Sequence, residues 1–328
     1  MVERKVGTVF YWHNLSPILS IFRFRPELGG RFPDYQAGQY IALRREDCKL
    51  TKAVVGPDGT VQYLPDLDEH GNQKRGPITH SYSISSAPAE TQSKGHIECY
   101  IILETDEEGS PGRLTESLFR IDPEGDNQIT YFYRIAGDFT LQKRAAGFQS
   151  VLLVGTGTGL APFVSMIKQL HHEFSQGKSD GVQYTLLHTN RTYRELAYHE
   201  ELLAIEASQK FDFVYIPSVS RPASSDLDNP RMGKGRANNL LREIFEMPLK
   251  EEQTLQEAAG RAEDTSKARA ALEKTVRPIL PQHLSRKALQ ERFNPSRTVI
   301  LTCGNPLAMA DIQFTAQANQ IRFEKEEW

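Results

Sequence analysis

Cysteine is scarce and unpatterned in this sequence. Only Cys48, Cys99 and Cys303 occur among 328 residues, and no two of them form a Cys-x-x-Cys pair. The spacings of zinc sites and of cysteine-held iron–sulfur clusters are therefore missing, and no metal site is expected. An odd, sparse count fits a reducing compartment better than a disulfide scaffold. Long apolar runs are lacking too. No segment approaches the ~18 residues that would suggest a membrane span, and the mean hydropathy is -0.49. The stretch from Met1 to Gly7 is short and charged and has no apolar core of a signal peptide. A cytoplasmic location is the expectation. Charge of one sign is also missing. The net charge of -3 carries none of the basic excess of a nucleic-acid-binding domain, while a local basic patch for an acidic partner stays open.

What is present is the composition of an ordinary globular chain, 39% hydrophobic and 25% charged, long enough to bury cores without staples and to form two domains. The first part reads as strands rich in β-branched and aromatic residues: Val6 to Trp12, Ile18 to Phe24, Tyr40 to Leu43, His80 to Ser86, His96 to Leu103 and Ile129 to Ile135. With little helical periodicity between them, they predict an antiparallel six-stranded β-barrel or sandwich. The long connection from Arg44 to Thr79 contains a hairpin-like pattern, Ala53-Val-Val, Gly56-Pro-Asp-Gly59 and Val61-Gln-Tyr63.

Near Ala146-Gly147 the pattern changes. Ser150 to Val154 is a mostly apolar run, as in a buried parallel strand. Helical and strand-like segments then alternate: helices at Ala161 to Phe174, Glu195 to Ala207, Ala237 to Phe245 and Leu307 to Ala318, and strands at Tyr184 to His188, Phe211 to Ile216 and Thr298 to Thr302. The alternation predicts an open α/β sheet. The expected domains are 1–146, the barrel, and 147–328, the α/β domain. A segment around 248–294, rich in Ala, Glu, Lys, Arg and Gln, interrupts the second. One helix ending near Pro278 and a second from His283 to Phe293 are expected there. The segment reads as a surface insertion, or as an arm for docking or oligomerisation.

Three motifs carry chemistry. Gly155-Thr-Gly-Thr-Gly159, followed by Leu160-Ala-Pro-Phe163, sits between an apolar strand and a helix. Glycines allow close backbone approach to a pyrophosphate, and the helix start offers unpaired N–H groups. The spacing departs from G-x-G-x-x-G, so the Rossmann fingerprint is not satisfied. An ordinary strand–helix turn would also use such glycines. His80-Ser-Tyr-Ser-Ile-Ser-Ser-Ala-Pro88 puts a ring and hydroxyls on one strand, able to pack on a flat heteroaromatic ring. Any exposed strand could share that composition. Cys303-Gly-Asn-Pro306 follows a strand directly, at the carboxyl end where ligands sit in open α/β sheets. A buried small apolar residue is its other reading.

In this order, and together with Phe32 to Tyr40, Gly112-Arg-Leu-Thr115, Ile135 to Phe139 and the terminal Trp328, these motifs resemble the ferredoxin–NADP reductase family, nearest its bacterial branch. The resemblance spans the chain except 45–79 and 248–294. It implies an FAD-binding barrel and an NADP(H)-binding α/β domain. It also implies ferredoxin or flavodoxin as electron partner. Tyr82 would stack on the isoalloxazine and Ser83 would bond near its N5, with Ser85 and Ser86 in the same segment. Arg113 and Thr115 would hold the flavin pyrophosphate. Gly155, Thr156, Gly157, Thr158 and Gly159 would face the nucleotide pyrophosphate. Cys303 would lie beside the reacting nicotinamide carbon, with Gly304, Asn305 and Pro306 next to it. Trp328 would cover a flavin surface, and Glu327 is a candidate for proton transfer.

Two departures stand out. His80 replaces the family's phosphate-binding Arg, and Glu104 replaces a basic residue. Arg191, Arg221 and Arg236 are expected at the adenosine 2′-phosphate, where three guanidiniums favour NADP over NAD. A reductase component feeding an oxygenase, and a flavin-free scaffold of the same fold, are the alternative readings.

Overall fold

The computed structural model describes residues 2–55, 61–106 and 109–326, in two compact units that divide at Gly137–Asp138. The sequence places this junction at 146–147. The chain enters the second unit earlier because Phe139 packs on Phe163, with ring centroids 5.8 Å apart, and Arg144 pairs with Glu324 at 3.1 Å.

The first unit contains β1 (Arg4–Ser16), β2 (Leu19–Pro26), β3 (Tyr40–Lys49), β4 (Thr51–Val55), β5 (Val61–Pro65), β6 (Arg75–Ser83), α1 (Pro88–Lys94), β7 (Ile97–Ile102), α2 (Arg113–Leu118) and β8 (Gln128–Ala136). Six strands form one antiparallel sheet in the order β6-β3-β8-β1-β2-β7. Its two edges meet just past β6, where Ile84 bridges Cys99 and the Ser85 N–H donates to Glu98 O at 2.9 Å. The sheet thus curls into the expected six-stranded barrel. Alternation decides which face is inside: Val9, Phe22, Phe24, Ile41, Leu43, Ile97, Cys99, Ile129 and Tyr131 all point inward and are buried. Leu114 and Leu118 of α2 join this core. The guanidinium of buried Arg45 anchors that helix by donating to Ser117 Oγ at 3.1 Å. β4 and β5 pair as the expected hairpin, whose Gly56–Gly59 tip lies outside the described residues.

The second unit follows as α3 (Leu141–Arg144), β9 (Ser150–Thr156), a 3-10 turn (Gly157–Leu160), α4 (Ala161–Ser175), β10 (Gln183–Asn190), α5 (His199–Ser208), β11 (Phe213–Val219), α6 (Ser224–Leu227), β12 (Gly233–Lys234), α7 (Ala237–Ile244), α8 (Lys250–Gly260), α9 (Ser266–Glu273), α10 (Arg286–Arg292), β13 (Thr298–Cys303), α11 (Pro306–Ala318) and β14 (Arg322–Lys325). All six strands are parallel, in the order β12-β11-β10-β9-β13-β14. The chain runs outward from β9 to β12, then returns to the far side of β9. The carboxyl ends of β9 and β13 therefore flank the topological switch point, where open α/β sheets bind ligands. β12 and β14 are too short and polar to announce themselves in the sequence.

The 248–294 segment divides in a way its composition does not reveal. The single helix expected before Pro278 is two, α8 and α9, because Ala262 takes a positive φ of 55° and breaks the run. These two helices bury little. α10 is not surface material: its Leu289, and Phe293 just after it, belong to the core with Leu240, Leu241 and Ile312.

One polar contact is buried within that core. Arg242 of α7 donates to both carboxylate oxygens of Asp311 on α11, at 2.9 and 2.6 Å, and each side chain is 1% exposed. Asn238 Nδ2 adds a bond to Asp311 at 2.8 Å, and the Pro248 carbonyl accepts from Arg242 at 2.8 Å. Burial alone would raise the Asp311 carboxyl, but Arg242 and Asn238 outweigh it and hold it below the usual range. Removing one partner strands the other charge in the core. Asp311→Ala should therefore cost about 3–5 kcal/mol, read as a lowered denaturant midpoint. A loss under 1 kcal/mol would show that the pair is not buried in solution.

Candidate functional site

At the switch point the glycine-rich turn and the Cys303 loop are pressed together. Asn305 N–H donates to Thr156 Oγ1 at 2.9 Å, which ties the end of β9 to the loop after β13. Asn305 also caps α11, its Oδ1 accepting from the N–H groups of Leu307 and Ala308 at 3.0 and 3.1 Å. Pro306 opens that helix, where its missing N–H costs nothing.

The glycines have different physical reasons. A Cβ on Gly159 would stand 2.2 Å from Cys303 O, and one on Gly304 2.2 Å from Thr156 Oγ1, where Gly304 also has φ +125°. Both are excluded by a neighbouring chain segment. Gly155 is crowded by Leu160 of the following turn, at 3.1 Å. Gly157 alone faces open space, with φ +57°. Of the three glycines in the turn, only Gly157 is uncrowded, and its left-handed backbone is what favours glycine there.

Cys303 is fully buried, and burial pushes its thiol well above the ordinary range, with Glu326 adding to the effect. It is a neutral thiol, not a nucleophile. Glu326 stands beside it because β14 pairs with β13 and the Glu326 N–H continues the ladder to Thr302 O at 3.0 Å. Burial raises the Glu326 carboxyl to about 7, against the opposing pull of Arg144. Among the described residues, its Oε2 has no hydrogen-bond partner. This acid was missed in the sequence, where its neighbour Glu327 drew attention. β14, for which the sequence suggests no element, is what places it. Glu327 and Trp328 lie outside the described residues.

The three arginines also converge. The Arg221 N–H donates to Arg191 O at 2.7 Å, and the Gly235 N–H to Val219 O at 2.9 Å, so 191, 221 and 236 sit along one edge at the carboxyl ends of β10, β11 and β12. They differ in their partners. Arg191 is chelated by both carboxylate oxygens of Glu195. Arg236 donates to Glu251 at 3.1 Å. Among the described residues, no carboxylate pairs with Arg221.

In the first unit, Tyr82 and Ser83 lie at the end of β6, beside the edge where the barrel closes. The hydroxyls of both are buried without a hydrogen-bond partner among the described residues. Burial, and next the Glu104 charge, raises the Tyr82 phenol, so it stays neutral. As successive residues of one strand they point to opposite faces, and the Tyr82 ring packs against the barrel core on the side of its partner Ile41. The donors needed to close the barrel are already engaged. Ser86 Oγ accepts from Glu98 N–H at 3.1 Å and lies 3.3 Å from the Tyr35 hydroxyl. Thr115 Oγ1 donates to Gly112 O at 3.1 Å, and Arg113 begins α2 beside it. His80 is exposed, opposite Leu43. Glu104 stands against the start of α2, its carbonyl accepting from Gly112 N–H at 2.8 Å.

The crowding at Gly159 makes a sharp expectation. Gly159→Ala must displace the Cys303 loop, whereas Gly157→Ala meets only a left-handed backbone cost of ~1 kcal/mol. Thermal unfolding should fall by several times more for Gly159→Ala. Equal losses would mean the two loops do not touch.

The matched family model is an oxidoreductase NAD-binding domain, over residues 153–263. A flavohemoprotein of Bordetella pertussis is 28% identical over 195 residues, which cover 59% of this chain and 39% of that protein. The match thus spans about two fifths of that relative's length. Among solved structures, a ferredoxin NADP+ reductase from Neisseria gonorrhoeae with bound FAD and NADP aligns over 99% of both chains, with a TM-score of 0.58 and 18% identity. The FAD/NAD-binding domain of a nitric oxide dioxygenase from Vibrio cholerae gives 0.59 and 17%, over 99% of this chain and 98% of that one. An oxidoreductase NAD-binding domain model thus matches from β9 into the inserted helices, and the two-unit fold is shared from end to end with these solved reductase structures.

Proposed function

We propose that this chain binds FAD and NADP(H) and passes electrons between the nucleotide and a one-electron carrier such as ferredoxin or flavodoxin. The observation that carries the reading is the junction of Thr156 with Asn305 at the switch point, which puts the glycine-rich turn, Cys303 and Glu326 at one place. A bound flavin supplies the exchange between two-electron and one-electron chemistry; the protein supplies binding, orientation and electrostatics.

On the first unit, the family resemblance assigns the Tyr82 ring to the isoalloxazine and the Ser83 hydroxyl, unpartnered among the described residues, to its polar edge. Arg113 and the start of α2 take the diphosphate, with Glu104 as an opposing charge. On the second unit, Gly157 and Thr158 approach the nucleotide diphosphate, and Arg191, Arg221 and Arg236 take the adenosine 2′-phosphate. Cys303 packs a neutral sulfur against the nicotinamide. With its carboxyl near 7, Glu326 can hold or release a proton at Oε2 at physiological pH. A cytoplasmic setting suits three free, buried cysteines.

The flavohemoprotein match favours a second reading, in which the electrons go to a haem or an oxygenase. Steady-state reduction of ferredoxin, flavodoxin and a haem acceptor, compared side by side, separates the two. Purified protein should be yellow, and NADPH should bleach it; a colourless protein would point to a flavin-free scaffold.

Two variants test the site assignments. Tyr82→Ala should lower the flavin-to-protein ratio after dialysis, since stacking supplies ~0.5–1.5 kcal/mol beyond burial. Full retention would place the ring elsewhere. Cys303→Ala should slow flavin reduction at saturating NADPH by roughly tenfold or more, because small displacements at a reacting centre are costly, while nucleotide affinity changes little. An unchanged limiting rate would remove Cys303 from the reacting centre.

A further inference from the structure

We propose that Glu251 and Glu195 are specificity-determining residues that blunt the preference for a 2′-phosphate, so that the chain accepts NADPH and NADH to similar extents. The proposal rests on the nucleotide site described above and adds to it a role for the inserted helices. Two of the three arginines at that site are already neutralised by carboxylates of this chain. Three guanidiniums less two carboxylates leave one net positive charge, carried by Arg221.

Neither carboxylate can move aside cheaply. Glu251 is 9% exposed, against 65% for Arg236, and both its oxygens are engaged: Oε1 by Arg236 at 3.1 Å, Oε2 by Asn239 Nδ2 at 2.8 Å. Asn239 Oδ1 in turn accepts from Lys250 N–H at 3.0 Å, which pins the start of α8 onto α7. The far end of the insertion is fixed to the same stretch, where Ile279 and Lys234 exchange backbone bonds at 2.8 and 2.9 Å. Glu195 is 7% exposed, and its carbonyl is held by Asn190 Nδ2 at 2.7 Å.

A 2′-phosphate therefore meets one of two penalties. Arg236 can swing to the ligand and strand a buried carboxylate, which is the expensive way to break such a pair. It can instead stay tethered and take the phosphate on its outer N–H groups. The phosphate then sits inside the ~8 Å over which physiological salt screens charge, facing Glu251. The same holds for Arg191, whose bidentate partner occupies two of its donors. An adenosine without the 2′-phosphate meets neither penalty.

Binding of adenosine 2′,5′-bisphosphate and of 5′-ADP to the purified holoprotein, by calorimetry, tests this. The wild type should favour the bisphosphate by no more than about tenfold. Glu251→Gln keeps the shape and one of the two acceptors, for Arg236 or for Asn239, and removes the charge. It should tighten the bisphosphate about tenfold, or ~1.4 kcal/mol, and leave 5′-ADP unchanged. Glu195→Gln should act in the same direction, and decides the matter if Glu251→Gln does not fold. Bisphosphate affinity unchanged or weakened in both variants would overturn the proposal, as would a wild-type preference above a hundredfold. Arg221→Ala separates this from the underlying reading. Loss of the bisphosphate preference in Arg221→Ala upholds the 2′-phosphate site even where the glutamates prove inert. If Arg221→Ala leaves bisphosphate binding untouched, the site itself is misplaced and the proposal falls with it.

Discussion

At the carboxyl ends of β9 and β13, two stretches of backbone pass so close that neither tolerates a side chain on Gly159 or Gly304. The approach is possible only because both strands are central, parallel and adjacent, and because the chain reverses its direction of travel across the sheet between them. Everything assigned to the second unit's centre follows from it. The Thr156–Asn305 bond forms there, Asn305 starts α11 there, and Cys303 loses all contact with water there. β14 then adds itself to β13 and delivers Glu326 to the same place.

The core beneath depends on a polar contact. Asp311 accepts from Arg242 and Asn238 in a setting where an unpaired charge would be costly, and so locks α11 to α7. α7 is also the helix that receives the insertion, through Asn239. The same helix face thus positions the helix after the Cys303 loop and the carboxylate that opposes Arg236. The inserted segment is unlike a free appendage: its ends are built into the sheet edge and the core, and only α8 and α9 stand out.

Much of this was legible in the sequence where a local pattern has one physical meaning. The barrel strands rich in β-branched and aromatic residues, the apolar run of β9, the β4–β5 hairpin and the late helix expected at Leu307 to Ala318 each rest on near neighbours in the chain. The residues that were missed rest on distant ones. Glu326 is indistinguishable from Glu327 until β14 pairs with β13, and a polar four-residue edge strand has no period to read. The carboxylates facing Arg191 and Arg236 were not anticipated either. Glu195 lies four residues from its arginine, but Glu251 reaches Arg236 only because α8 is pinned on α7.

By itself the sequence determined the two-unit architecture, the glycine-rich turn, the Cys303 loop and the presence of three arginines, because periodicity, turn chemistry and residue type are local properties. Tertiary structure alone decided which of these act together and with what charge. Burial set the Cys303 thiol and the Glu326 carboxyl, and strand order brought them side by side. It also decided that two of the arginines carry a counter-charge and one does not, since an ion pair depends on where two backbones lead, and that is a property of the fold.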